Sequence, residues 1–197
     1  NKSFLKNSES KSAIKSSMNK INVLEGIKIL FSSPYMGLMA IVIISYGTAV
    51  SFLEVVWKDC MKTTLVNPNA YASMVGNFSM ITGILTIILT ILSTSIIRKF
   101  KWKVAALIPP IIMMIFGGVF FAVVIYNKAG NSHFFGISVS WIVLWLGLLA
   151  NALIKSVKYC LFDTTKNMAY RPLDENTKTK GQAAVEVIAG RTGKAGA

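Results

Sequence analysis

F-F-G-I-S-V-S-W-I-V-L-W-L-G-L-L-A-N-A-L-I, residues 134–154, runs straight into K-S-V-K-Y-C-L-F-D-T-T-K-N-M-A-Y-R-P-L-D, residues 155–174. The first stretch holds no acidic or basic side chain and is long enough for a helix to cross the hydrocarbon core of a bilayer, about 30 Å. The second brings Lys155, Lys158 and Lys166 immediately behind it. An apolar run closed by cations reads as a membrane span with its end anchored at the polar boundary.

Three further runs repeat the pattern. Met36 to Trp57 carries one charge, Glu54; Met74 to Ile97 carries none; Val104 to Tyr126 carries none and contains Pro109-Pro110 and Gly117-Gly118. The chain is 53% hydrophobic with a mean hydropathy of +0.56, which sets it apart from an ordinary soluble domain. Only helices and closed barrels satisfy the backbone inside lipid, and these runs are too long and too uniformly apolar for barrel strands. The expected fold class is all-α, an integral membrane helical bundle with spans at about 36–57, 74–97, 104–126 and 134–154.

The connections orient the spans. Residues 1–33 hold six lysines, residues 98–103 hold Arg98, Lys99, Lys101 and Lys103, and the tail from Lys155 holds eight basic residues. These three groups alternate onto one side, leaving Lys58, Lys62 and Lys128 for the other. The positive-inside bias places the basic side in the cytosol. Much of the formal net charge of +13 thereby has a topological cause or serves anionic headgroups. The basic residues are split among loops and accompany no nucleic-acid module, which argues against a nucleic-acid partner.

Asn1 to Lys20 is rich in Ser, Lys and Asn and reads as a flexible arm. Ile21, Leu24, Ile27 and Phe31 then form an apolar stripe suited to a short interfacial helix. Ser33-Pro34 ends it. Residues 1–33 therefore make a cytosolic arm and interfacial helix, 34–158 the four spans, and 159–197 a cytosolic segment with a short helix over Thr177–Gly190. The start at Asn1 gives the chain the look of a piece of a longer polypeptide.

Few residues could carry chemistry. Glu54 is a carboxylate inside a span, which is costly and is usually kept for function; Lys58, four residues on, is its natural partner on the same face. The competing reading is an ordinary helix-end pair with Lys58 reaching outward. Asn151, Lys155 and Lys158 continue one face of the fourth helix and suit phosphate, or simply anchor the helix end. Ser79, Gly83, Thr86, Thr90 and Ser93 or Thr94 make a small polar stripe for close packing or for lining a cavity. Pro109-Pro110 and Gly117-Gly118 loosen the third span. Cys60 and Cys160 have no metal or redox spacing and read as apolar fillers. His133, the single histidine, has no companion ligands in sequence. G-R-T-G-K-A at 190–195 fails the phosphate-loop pattern, because Ile188 stands at its first glycine and Ala195 at its Ser/Thr.

The tail carries a more specific signal. Lys158, Tyr159, Leu161, Phe162, Asp163, Lys166, Met168, Ala169, Tyr170, Pro172, Leu173 and Asp174, then Gly190, Arg191, Gly193 and Lys194, match the K-Y-x-L-F-D-P-x-K-E-M-A-Y-x-P-L-D and G-R-x-G-K-S-G blocks of a nucleotide transporter family. The chain resembles the ATP/ADP antiporters of plastids and intracellular parasites, which are unrelated to the mitochondrial carriers. It departs from the pattern at Thr164, Asn167, Arg171 and Ala195. L-E-V-V-W-K at 53–58 is similar to the family's V-E-V-T-W-K.

The resemblance implies a twelve-span, major-facilitator-like transporter of two halves, of which this chain supplies spans seven to ten and the start of the eleventh. It implies exchange of ATP for ADP, with or without phosphate, in a bacterial or parasite cell membrane or a plastid inner envelope. The protein would be no enzyme and need no cofactor. Its partners would be the transported nucleotides and membrane lipid. The charged residue at Glu54 and the lysine at Lys194 are the positions the family implicates in transport. Lys58, Asn151, Lys155, Lys158, Asp163, Lys166 and Arg191 complete the expected substrate-binding set. Two rivals stay open: a proton-coupled or other-nucleotide importer of the same architecture, and a non-transporting membrane anchor or scaffold.

The orientation is directly testable. In the full-length protein, cysteines placed near Lys101 and Lys178 should label from one face of the membrane, and cysteines near Asn69 and Lys128 from the other. Labelling of the Lys101 and Lys128 positions from the same side would rule out the four-span order.

Overall fold

The computed structural model describes residues 33–129, 133–134, 137–173 and 175–195. The expected arm at 1–20 and the interfacial helix at 21–31 lie outside the described residues. Among the described residues, four helical spans are long and apolar enough to cross a membrane: Pro34–Thr64, Pro68–Lys99, Trp102–Lys128 and Val139–Ala169. A two-residue antiparallel ladder pairs His133 with Ser138 and Phe134 with Ile137. A last helix runs from Glu175 to Ala195.

Each helix boundary has a local cause. Pro34 opens the first span, where a missing N–H costs nothing. Asn67 caps the second, its side-chain oxygen accepting from the Asn69 N–H at 2.9 Å, with Pro68 in the first turn. The fourth span begins at Val139, after an extended Ser138, rather than at Phe134. It also continues to Ala169, well past the last residue of the apolar run. Lys155, Lys158 and Lys166 therefore lie on the same continuous helix as the apolar run.

The backbone is helical from Pro68 through Ile112, yet it cannot be one rod. Phe78 lies beside Lys155, and Phe120 beside Gly147. A straight helix would set residues 78 and 120 roughly 63 Å apart, whereas residues 147 and 155 of the fourth span are only about 12 Å apart. The chain must turn back between Arg98 and Trp102. Both flanks meet the same end of the fourth span. Arg98 shares a cleft with Thr164 and Met168, and the Trp102 indole donates to the Thr165 carbonyl at 3.1 Å. At the opposite end Asp59, Thr64, Val124, Lys128 and Ser140 line a common cleft of about 340 Å³. The four spans thus alternate in direction.

The described chain divides into two compact units, one combining its residues up to Thr48 with Tyr170–Ala195, the other formed by Ala49–Ala169. In the first, Met36, Ala40, Ile43 and Tyr46 are buried at helical spacing, as are Ala184 and Val185 of the last helix. Tyr170, also buried, sits near Tyr35 and Glu186; burial first, then those two groups, push its hydroxyl up to about 12.

In the second unit the fourth span is the centre and the second span the most peripheral, its Ile84, Ile87, Ile88 and Ile91 exposed. Such a surface is what lipid or further protein covers. The first span meets the fourth through a tryptophan and an ion pair. Trp57, at the end of the first apolar run, is fully buried. Its ring lies over Gly147, and its Nε1 donates to the Leu144 carbonyl at 3.0 Å. A Cβ at Gly147 would collide with Trp57 Cδ1 and lie 2.8 Å from Phe120 Cε2, so only glycine lets the indole in.

The small polar stripe of the second span serves packing. Thr86 hydroxyl meets Ser156 hydroxyl at 3.2 Å, Ser156 donates to the Thr82 carbonyl at 3.1 Å, and Cys160 reaches the Thr86 carbonyl at 3.2 Å and the Thr90 hydroxyl at 3.1 Å. Ser79 bonds only its own Val75 carbonyl, and nothing lies within 4 Å of a Cβ built on Gly83. Cys160 is accordingly a polar rung rather than an apolar filler.

Gly147→Ala should lower stability by about 1–3 kcal/mol through overpacking against Trp57. Gly83→Ala should be neutral or gain up to about 1 kcal/mol from helix propensity. Thermal unfolding of the two variants in the same detergent checks the contrast.

Candidate functional site

The first span delivers Glu54 and Lys58 to one face by their four-residue spacing. Glu54 Oε1 meets Lys58 Nζ at 2.8 Å, and its other oxygen meets Lys155 Nζ at 2.7 Å. The second contact joins the first span to the fourth. It could not be read from the sequence, which offers Lys58 as the obvious partner and gives no signal for a partner 101 positions away. Lys155 also sits over the Phe78 ring, 5.1 Å from its centroid, and Phe78 in turn packs against Trp57 at 5.0 Å.

Glu54 is ten residues from the Thr64 end of its helix, and Phe78 ten from the Pro68 end of its own. Both lie about 15 Å in from that side of the bundle. The cluster is therefore inside the spans, not at a helix end. About a fifth of the Glu54 and Lys155 side chains remains exposed (20% and 21%), against 43% for Lys58. One carboxylate shared by two ammonium groups leaves this cluster with one surplus positive charge.

Asn151, one turn before Lys155, is buried and donates from Nδ2 to the Gly147 carbonyl at 2.8 Å. Its Oδ1 has no hydrogen-bond partner among the described residues. Lys158 departs from the cluster and lies 5.8 Å from the ring of its neighbour Tyr159. A π-helical turn over Lys158–Phe162 begins at this lysine. Such a turn inserts an extra residue into the helix and resets the faces beyond it. A second π turn, Met113–Gly117, follows Pro109-Pro110 in the third span, where the Met113 N–H reaches both proline carbonyls.

Asp163 and Lys166 pair with each other at 3.6 Å near the far end of the fourth span. They lie eight and eleven residues beyond Lys155, about 12 and 17 Å along the helix, and do not join the Glu54 cluster. Arg191 and Lys194 fall within the last helix, Glu175–Ala195, which runs unbroken through G-R-T-G-K-A; their side chains lie outside the described residues. Sequence reasoning missed Phe78 and Trp57. Trp57 next to Lys58 looks like a span-end aromatic, and Phe78 is one of many apolar residues in its run. Among the described residues no group of three or more His, Cys, Asp or Glu side chains could hold a metal ion.

Membrane-length helices that converge on an ionised interior cluster define a multi-pass membrane protein with a charged internal site. The chain belongs to the TLC ATP/ADP transporter family, whose family model matches residues 1–197. It is 40% identical over 185 residues to ADP,ATP carrier protein 1 of Chlamydia trachomatis serovar D, covering 92% of this chain and 35% of that protein. It is 41% identical over 180 residues to ADP,ATP carrier protein 1 of Rickettsia prowazekii, with 90% and 36% covered. It is 37% identical over 179 residues to the chloroplastic ADP,ATP carrier protein 1 of Arabidopsis thaliana, with 90% and 29% covered. The chain thus spans about a third of the length of these relatives. No solved structure matches it.

Removing one partner should expose the tie between the spans. Glu54→Gln leaves two lysines without their carboxylate and should cost about 1.5–3 kcal/mol, the range for hydrogen bonds to charged groups. Lys58→Gln, at the more exposed side chain, should cost less than about 1 kcal/mol. Adding Lys155→Gln to Glu54→Gln should recover part of the loss. Detergent melting of the four proteins reads the order.

Proposed function

We propose that the full-length protein exchanges ATP for ADP across a membrane by alternating access, and that the Glu54–Lys58–Lys155 cluster lies on the path of the nucleotide. The observation that carries this reading is the surplus positive charge held inside the spans. A charge left facing hydrocarbon costs several kcal/mol, so a partly exposed ionised cluster belongs on a polar path. A multiply charged phosphate chain is the anion that family membership supplies, and the relatives' names as ADP,ATP carriers agree.

The transported partners would be ATP and ADP, with phosphate as a further anion of the same chemistry. No bond is made or broken, so the protein acts as a carrier and not as an enzyme. Differential binding does the work: the nucleotide favours one arrangement of the two halves over the other. Asn151 supplies a buried acceptor one turn from Lys155. Lys194 and Arg191, three residues apart in the sequence, are further cations suited to the phosphate chain. Lys158, Asp163 and Lys166 serve the far end of the fourth span. The membrane is a bacterial, parasite or plastid envelope membrane.

Reconstituted full-length protein should take up labelled ATP only when vesicles contain ADP. Uptake driven instead by a pH gradient would favour the importer, and no flux of any nucleotide the scaffold. At equal membrane abundance, Glu54→Gln should slow exchange about tenfold or more. Lys194→Gln should weaken apparent affinity roughly 10- to 100-fold, the loss of one charge-assisted contact. Lys128→Gln, outside the cluster, should be silent.

A further inference from the structure

We propose that Phe78 is a positioning residue for anion recognition: its ring, seated between Trp57 and Lys155, holds the Lys155 ammonium group ready for a phosphate. This rests on the nucleotide-exchange reading and goes beyond it by naming a neutral side chain that sets affinity for the phosphate chain.

A connected series of contacts supports it. Lys155 Nζ is 2.7 Å from Glu54 and 5.1 Å from the Phe78 centroid. Phe78 is buried, and its own position is set by Trp57 at 5.0 Å, tilted by 56°. Trp57 is in turn fixed by its hydrogen bond to Leu144 and its seat over Gly147. The ring is thus the last member of a rigid series that ends on a flexible side chain.

A lysine stem has four rotatable bonds, and an unrestrained ammonium loses that freedom each time it binds. An aromatic face attracts a cation without supplying a competing negative charge. Glu54 neutralises Lys155, whereas Phe78 only orients it. When phosphate takes the place of the carboxylate, the ring contact can persist. Preorganisation of this kind strengthens binding without adding a contact to the ligand. The effect should appear in KM, with kcat changed little.

The experiment is a double-mutant cycle on the reconstituted full-length carrier, measuring KM and kcat for ATP and ADP exchange. Phe78→Leu keeps apolar bulk but removes the π face; we expect KM to rise about 3- to 30-fold and Phe78→Tyr to restore it. In a Lys155→Gln background the same Phe78→Leu change should have no further effect on KM, because the ring acts only through the ammonium. If the two changes multiply, Phe78 is merely packing and the proposal fails. If Lys155→Gln alone leaves KM at the wild-type value, the assignment of Lys155 to the phosphate path fails, and the role of Phe78 falls with it. Should Phe78→Leu not insert, Phe78→Met, of similar bulk and equally without a π face, gives the same readout.

Discussion

A carboxylate placed about 15 Å in from the end of its helix, with four-fifths of its side chain covered, has to be compensated, and the second unit is arranged around that requirement. Glu54 brings Lys155 to it across the bundle, in addition to its neighbour Lys58. Three residues on, Trp57 binds the same partner helix at Leu144 and Gly147. The ion pair and the indole contact fix the register of the first span on the fourth together. Changing one without the other would leave either a bare charge or a collision. Replacing such a pair by apolar residues can be neutral for stability, so its retention points to use rather than to strength.

The second span is held differently. Its threonine hydroxyls mostly donate back into their own helix, at Phe78, Thr82 and Thr86 carbonyls. What crosses to the fourth span is a short ladder through Ser156 and Cys160. Between apolar surfaces in lipid there is little hydrophobic gain, so small side chains and such hydrogen bonds do the holding. The two π turns break regularity where the bundle needs it. One follows the proline pair; the other begins at Lys158, one turn after the lysine that meets Glu54. Both leave the helices with local irregularities of the kind found at working sites.

The number and helical character of the spans were legible in the sequence because the bilayer imposes a length and a composition on each crossing. The reversal between the second and third spans was legible too, from the basic cluster at 98–103, although the backbone stays helical through it. The small polar stripe was legible as a place for close packing or a cavity, and the structure uses Thr86 and Thr90 for packing while Thr90, Ser93 and Thr94 line a cleft. Its partners Ser156 and Cys160 were not legible, because hydrogen bonds between residues 70 and 74 positions apart have no local signature.

The sequence by itself determined that this chain carries four membrane-length apolar runs, that Glu54 is an anomaly in one of them, and which family its blocks at 158–174 and 190–194 resemble. Those are one-dimensional properties: hydropathy, charge position and motif spacing. Only the tertiary structure decided that Lys155 is the counter-ion of Glu54 on another span, and that Trp57 is buried with Gly147 obligatory beneath it. The reason is physical. A lysine after an apolar run has the same sequence signature whether the helix stops there or continues, and its carboxylate partner stands on another span, which only folding brings within 2.7 Å.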